Sequence, residues 1–274
     1  MKKIDIIIDD LKKKILEFLY RDEMYNAILI ELIQNNIDNL GELYINENNE
    51  EITDILHIKN DGNSNFTNFL YTSENGLKDI AFKINELDYK KILLSGKLED
   101  VKSLLNILGR QKNIEPNIFY KLNFEKYEKI YIKYKGKIRL ASLSSEDLEI
   151  VKNFTSQFLE AETEEEIEAV TDTEKTFTKI KSGVYILDYE DNSIGMARFI
   201  GKTDNFAEIT GVYIDKAYRN KGLGKELIGH MIEAAIRERK TPVLVTSILN
   251  ISAIETYESM GFEKEKEYAY EFLD

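Results

Sequence analysis

The sequence predicts an α+β protein, a mixed sheet flanked by helices, laid out as two consecutive halves. Three observations carry that expectation. Apolar residues recur about every 3.6 positions in some segments and every second position in others, the signatures of helices and half-buried strands. The order helix, strands, helix, strand, helix occurs twice along the 274 residues, with little shared sequence. The apolar share, 43%, is ordinary for a globular chain and supports two domains of common size. The expected boundary lies near residue 130, with a first domain at 1–130 and a second at 131–274.

The elements follow in order. Between Asp9 and Asn35, Leu11, Ile15, Phe18, Leu19, Ala27, Ile28 and Leu32 keep helical spacing, giving one helix or two joined near Arg21. From Gly41 to Tyr71 the chain is β-rich: "ELYINENNEEITDILHIK" reads as two strands about an Asn-rich turn, and "NFTNFLYTS" as a third. Leu77 to Leu87 is helical, Lys90 to Gly96 ("KKILLSG") is a short buried strand, and Leu98 to Leu108 is an amphipathic helix. Leu122 to Arg139 alternates aromatic or aliphatic with charged residues. It reads as a strand-like crossover between halves.

The second half opens with a strand at Ile138 to Ser142 and a helix capped by Ser145 and running through Phe158. The run "EAETEEEIE" (160–168) reads as a solvated helix start or loop. Strands follow at Val184 to Tyr189, Gly195 to Ile200 and Ala207 to Ile214. A helix from about Lys221 to Lys240 ends before Pro242. The strand "VLVTSI", a helix from Ser252 to Met260 closed by Gly261, and a strand containing "YAYEF" complete the chain.

Composition narrows the function classes. Lys and Arg number 37 against 50 Asp and Glu, a net charge of −13, so nucleic acid is not an expected partner. No cysteine is present, which removes disulfides, thiolate metal sites and a cysteine nucleophile. No metal site is expected. His57 and His230 lie far apart and read as ordinary core or surface residues rather than a catalytic base. The start "MKKIDIIIDD" has no signal-type apolar core, and no run approaches the ~18 apolar residues of a membrane span. A cytoplasmic protein without membrane association is therefore expected. Richness in Ile, Lys, Asn and Glu suggests a bacterial source.

One stretch stands out: "YRNKGLGKEL", Tyr218 to Leu227, at a strand-to-helix junction. It is not a Walker A loop, because Arg219 and Glu226 stand where a glycine and a Ser/Thr are required. It is not a dinucleotide GxGxxG, because Leu227 replaces the third glycine. What remains is Arg-x-x-Gly-x-Gly: Arg219, Asn220, Lys221, Gly222, Leu223, Gly224. Glycines let backbone approach a bulky anion, and the first-turn amides of a helix have no intrahelical partner. The positive end of the helix dipole points the same way, and Arg219 and Lys221 add countercharge.

This pattern resembles the acetyl-CoA loop of the GNAT superfamily of N-acetyltransferases. Upstream, "NFAEITGVYIDKAYR" is similar to that family's fourth strand. Downstream, "ILNISAIETYESMGF", with Asn250, Ala253, Tyr257 and Gly261-Phe262, is similar to its last helix. The resemblance covers about Ile138 to Phe272, and the whole chain resembles bacterial acetyltransferases with tandem GNAT-like halves. The counterpart turn of the first half, "YTSENGLKD", has one glycine, Gly76, and no Arg-x-x-Gly-x-Gly, so the first half is expected not to bind CoA.

The resemblance implies roles. The bulged fourth strand would offer the backbone of Val212, Tyr213 and Ile214 to the pantetheine arm, with Gly211 tolerating the bulge. One amide would stabilise the oxyanion. Tyr257 would protonate the leaving thiolate, Glu208 would serve as general base or as a structural group, and Asn250 would contact the pantetheine arm or the amine. The implied reaction is acetyl transfer from acetyl-CoA to a primary amine, on a small molecule or a protein, by direct attack. The alternative is a non-catalytic acyl-CoA-binding regulatory module, which need keep neither Tyr257 nor an open groove. Oligomeric state is open.

Overall fold

The computed structural model describes residues 1–35, 40–60, 62, 64–128 and 130–273. The chain forms two compact units. The first comprises Met1–Phe119 and Lys266–Asp274, the second Tyr120–Glu265. Where the alternating sequence suggests a crossover near residue 130, the chain thus leaves the first unit at Phe119 and returns to it at Lys266.

In the first unit, β1 (Lys2–Ile4) is followed by α1 (Asp9–Leu19), a 3-10 turn (Tyr20–Asp22) and α2 (Ala27–Asn35). Next come β2 (Glu42–Asn48), β3 (Glu51–Asn60), β4 (Asn65–Leu70), α3 (Glu74–Leu87), β5 (Ile92–Lys97) and α4 (Leu98–Ile107). Strands β1 to β4 pair antiparallel in sequence order, and β4 pairs parallel with β5. The β2–β3 turn places Asn49 and Glu50 at φ 50° and 67°, the left-handed pair a tight hairpin requires. Alternation decides the faces. Leu43, Ile45 and Ile55 pack with Ile15, Leu19, Ile30 and Ile33 of α1 and α2. Tyr44, Leu56 and Leu94 pack with Ile80, Ile84, Val101 and Leu104 of α3 and α4.

Two strands pass from one unit to the other: β6 (Asn117–Leu122) and, at the end of the chain, β12 (Phe262–Leu273). The second unit contains α5 (Phe124–Tyr127), β7 (Lys137–Leu140), α6 (Ser145–Phe158), α7 (Glu164–Val170), α8 (Thr173–Lys181), β8 (Val184–Tyr189), β9 (Asn192–Ile200), β10 (Phe206–Ile214), α9 (Leu223–Arg237), β11 (Thr241–Ser247) and α10 (Ile251–Ser259). Strands β7 to β10 pair antiparallel in order, and β10 pairs parallel with β11. Val151, Phe154 and Ile180 of α6 and α8 pack on Ile186, Met196 and Tyr213. Leu227, Ile228, Met231, Ile232 and Ala235 form the buried stripe of α9.

Three readings are corrected. The segment Leu122–Arg139 is not one strand. Only its ends pair; its middle, of which Lys129 lies outside the described residues, runs along α9. Tyr134 donates to Glu233 at 2.9 Å, and the amides of Lys135 and Gly136 donate to Glu226 at 2.7 and 3.0 Å. Ile132 sits where a Cβ on Gly229 would come within 2.2 Å of it. The alternation there serves a helix surface, not a ladder. The cap of α6 is Ser144 rather than Ser145, its hydroxyl accepting from the Asp147 amide at 3.2 Å. Helix α8 is absent from the periodicity reading because only Thr176 and Ile180 of its nine residues are buried. The acidic run does start a solvated helix: Thr163 and Glu166 form a capping box on α7, none of whose residues is buried. Among the described residues no helix is long and apolar enough to cross a membrane, and no cluster of three His, Asp or Glu could hold a metal ion.

Candidate active site

The site in the second unit begins with two parallel strands that part. The β10–β11 ladder runs from Phe206–Thr241 to Ile209–Leu244, while β10 continues to Ile214 and β11 to Ser247. On its other edge β10 shifts register against β9 between Thr210 and Tyr213, a bulge that turns the strand. Gly211 carries it at φ 61°, where a side chain would be strained. The backbone of Val212, Tyr213 and Ile214 thus borders a gap that no β11 ladder fills.

Beyond the bulge, Asp215 caps a 3-10 turn (Lys216–Tyr218) through the Ala217 amide at 2.8 Å. Asn220 at φ 62° and Gly222 at φ 81° reverse the chain into α9. No side chain caps α9, so its first amides and its dipole face outward. A Cβ on Gly222 would meet nothing within 4 Å, and one on Gly224 only Ile214 at 3.9 Å. The two missing side chains therefore leave an open cradle at a helix N-terminus, the arrangement that suits a phosphate. Leu223 is buried, so only its amide is available.

The basic residues are braced. Arg219 donates through Nε to the Ile214 carbonyl at 2.9 Å and lies 5.7 Å from the Tyr213 ring centre. Lys221 lies 4.7 Å over the Tyr218 ring. Lys135, which sequence reasoning did not single out, donates to the Lys221 carbonyl at 2.8 Å and adds a third cation. Its signal was the basic "KYKGK" stretch, misread as a strand.

Tyr257 lies on α10, 8% exposed, with Phe262 and Tyr120 rings at 6.1 and 6.5 Å. Its hydroxyl makes no hydrogen bond to a described residue. Since no sealed side-chain polar atom there lacks a partner, the hydroxyl is open to solvent. Burial pushes its pKa up to about 12. Asn250 is the N-cap of α10, its side-chain oxygen accepting from the Ala253 amide at 3.2 Å, so that oxygen has a structural task. Glu208 is buried on β10, paired across the sheet with Ile200 and Val243. Residues directly opposite share a face, so Glu208, Thr210 and Arg198 lie on one side. Arg198 passes over the bulge, its Nε 3.9 Å from where a Gly211 Cβ would stand. Nearby Lys179 is lowered to about 8, first by burial, then by Arg198 and Lys175. Neither was predicted, because a single basic residue in a strand or helix carries no pattern.

The histidines are structural. His57 is fully buried, with Nε2 2.6 Å from the Leu40 carbonyl and Nδ1 3.1 Å from the Asn68 amide nitrogen. His230 on α9 meets the Tyr185 ring edge-on, with ring centres 5.2 Å apart.

Comparison with known proteins bears on the fold that carries these residues. Residues 148–262 match the model of the acetyltransferase (GNAT) family. The chain is similar in fold to a GNAT-family acetyltransferase from Colwellia psychrerythraea (14% identity, 99% of both chains, TM-score 0.61). It is similar also to a tandem GNAT protein from the clavulanic acid biosynthesis pathway (10% identity, 98% of this chain and 97% of that one, TM-score 0.69). A third similar structure is a GCN5-related N-acetyltransferase from Kribbella flavida (12% identity, 92% and 95%, TM-score 0.62). No curated protein sequence matches. Residues 148–262, which hold the parted parallel strands and the glycine cradle before α9, thus match the acetyltransferase (GNAT) family model, and the chain shares its fold with these GNAT structures.

Proposed function

We propose that the second unit transfers an acetyl group from acetyl-CoA to a primary amine by direct attack. The observation that carries this reading is the cradle at Gly222 and Gly224 lying at the end of the strand that parts from β11. A pyrophosphate would sit on the first amides of α9, with Arg219, Lys221 and Lys135 as countercharge. The pantetheine arm would lie along Val212 to Ile214, whose free edge offers strand-type hydrogen bonds.

The chemistry then needs three things from this chain. The arriving ammonium must lose a proton, and Glu208, on the bulge-side face of β10, is the carboxylate suited to take it, directly or through water. A backbone amide beside Gly211 polarises the thioester carbonyl as the amine nitrogen forms its bond to the carbonyl carbon. As the carbon–sulfur bond breaks, Tyr257 gives its phenolic proton to the sulfur, and the second proton, shed by the acylated nitrogen as the amide forms, restores the phenol through solvent. A pKa of about 12 keeps the phenolic proton in place at neutral pH.

A non-catalytic acyl-CoA-binding role is the alternative, but such a module has no use for an unbonded phenol on α10. Incubation with radiolabelled acetyl-CoA and a library of primary amines tests the reading. Label transfer to an amine supports it. Tight CoA binding with no transfer to any amine, peptide amines included, would favour the alternative.

A further inference from the structure

The first unit contains a cavity of about 360 Å³. That is at the small end of ligand sites, which run from about 300 to 1,000 Å³. It opens where β4 and β5 part. Their ladder pairs Asn65–Asn68 with Ile92–Ser95, and the residues that follow, Phe69 to Thr72 and Gly96 to Lys97, line the cavity. The fork resembles that of β10 and β11, but its anion seat is closed. At the N-terminus of α3, Ser73 caps the Gly76 amide at 3.2 Å. The carboxylate of Asp54, 3% exposed, accepts from the Thr72 amide at 3.2 Å and from Asn46 at 3.0 Å. It lies so close to Gly76 that a Cβ there would be 2.0 Å from its oxygen. The chain supplies its own anion where a pyrophosphate would need both space and positive potential.

The cavity itself keeps a balanced set of charges. Arg21 and Lys97 face Asp22 and Asp100 among the lining residues. Lys97 pairs with Asp22 and lies 4.7 Å from the Tyr25 ring centre, and Asp100 accepts from the Tyr71 hydroxyl at 2.7 Å. Phe18 and Phe69 add apolar wall. A ligand carrying one sign of charge would meet as much repulsion as attraction. A ligand with an ammonium, a carboxylate and an apolar body matches all three features.

We propose that this cavity binds a free α-amino acid with an apolar side chain, and not CoA. The ammonium is met by Asp100, the carboxylate by Lys97, and the side chain by the aromatic wall. The assignment does not depend on the activity read for the second unit.

The test is calorimetry on the full chain with L-phenylalanine, L-leucine, phenethylamine, 3-phenylpropionate and CoA. L-Phenylalanine or L-leucine should bind, and the two single-charge analogues at least about tenfold more weakly. Asp100→Asn and Lys97→Met should each weaken the amino acid at least about tenfold and leave CoA affinity unchanged. Asp100→Asn keeps an acceptor for Tyr71, so it serves as the variant that folds if Lys97→Met does not. No binding of either amino acid at millimolar concentration would overturn the proposal. So would equal binding of either single-charge analogue, or amino-acid affinity unchanged in a folded Asp100→Asn protein, which would put the ligand elsewhere. CoA affinity lost with Asp100→Asn would overturn it as well.

Discussion

Tyr257→Phe removes one oxygen from a ring that is packed against Phe262 and Tyr120 at 6.1 and 6.5 Å. The hydroxyl makes no hydrogen bond to a described residue, so folding loses neither a bond nor a contact of the ring. Stability should stay within about 0.5 kcal/mol of the parent, as for substitutions that touch no buried partner. The kinetic effect is different in kind. Burial holds the phenol's pKa up at about 12, so in the unliganded protein the proton is in place at every ordinary assay pH. It is needed only as the sulfur gains charge, so its loss should lower turnover and leave the apparent acetyl-CoA affinity nearly unchanged. General acid catalysis is worth about 10² to 10⁴ in rate, and solvent can reach the hydroxyl's place and substitute in part. The low end, about a hundredfold, corresponds to about 2.7 kcal/mol of barrier. Single-turnover measurement with an identified acceptor isolates the chemical step. The loss should be the same at pH 7 and pH 9, because the phenol does not titrate in that window. An unchanged single-turnover rate would return Tyr257 to a packing role and revive the non-catalytic reading.

Three further outcomes follow from the geometry. Gly224→Ala should fold with equal or greater stability, by up to about 1 kcal/mol, since the new methyl meets only Ile214 at 3.9 Å in a helical turn, yet bind CoA at least about tenfold more weakly by calorimetry; undiminished affinity would remove the cradle from the site. Gly76→Ala should lower the urea midpoint, at a cost of about 1–3 kcal/mol, because Asp54 can yield only by giving up its bonds to Thr72 and Asn46, and an unchanged midpoint would mean that Asp54 does not fill that seat. His57 is lowered to about 4, chiefly by burial, so the neutral form is favoured in the fold: its stabilisation is complete above pH 6.5 and is lost as pH falls through 4. The difference is worth about 3 kcal/mol, and urea titrations of the parent and His57→Gln at pH 7 and pH 4 should show the parent losing that much more; parallel losses would refute the buried neutral histidine.

Much of this protein was legible without coordinates, and the legible parts share a cause. Helix and strand periods are local, so α3, β5, α4, β8, β10 and α9 are found within a few residues of where spacing puts them. The loop Arg219–Gly224 is legible for the same reason: the groups that make an anion cradle are consecutive in the chain. Tyr257 falls inside the helix that the sequence puts at Ser252 to Met260 and that is found at Ile251–Ser259. What sequence could not decide depends on groups distant along the chain. The stretch 131–136 alternates like a strand, but its alternate residues meet Gly229, Glu233 and Glu226 on a helix that follows some hundred residues later. Arg198 reaches the bulge only because β9 pairs with β10 in one register. The missing Arg-x-x-Gly-x-Gly of the first half could be read as an absence, but its physical reason could not. Asp54 on β3 is brought against Gly76 on α3 by the sheet, and a carboxylate from one element closes the helix N-terminus of another. Local pattern sets which segments are helices, strands and turns, because it acts through the backbone over a few residues. Which side chains face one another, and so which of two similar forks keeps an open anion seat, is set by packing and strand register, which exist only in the folded chain.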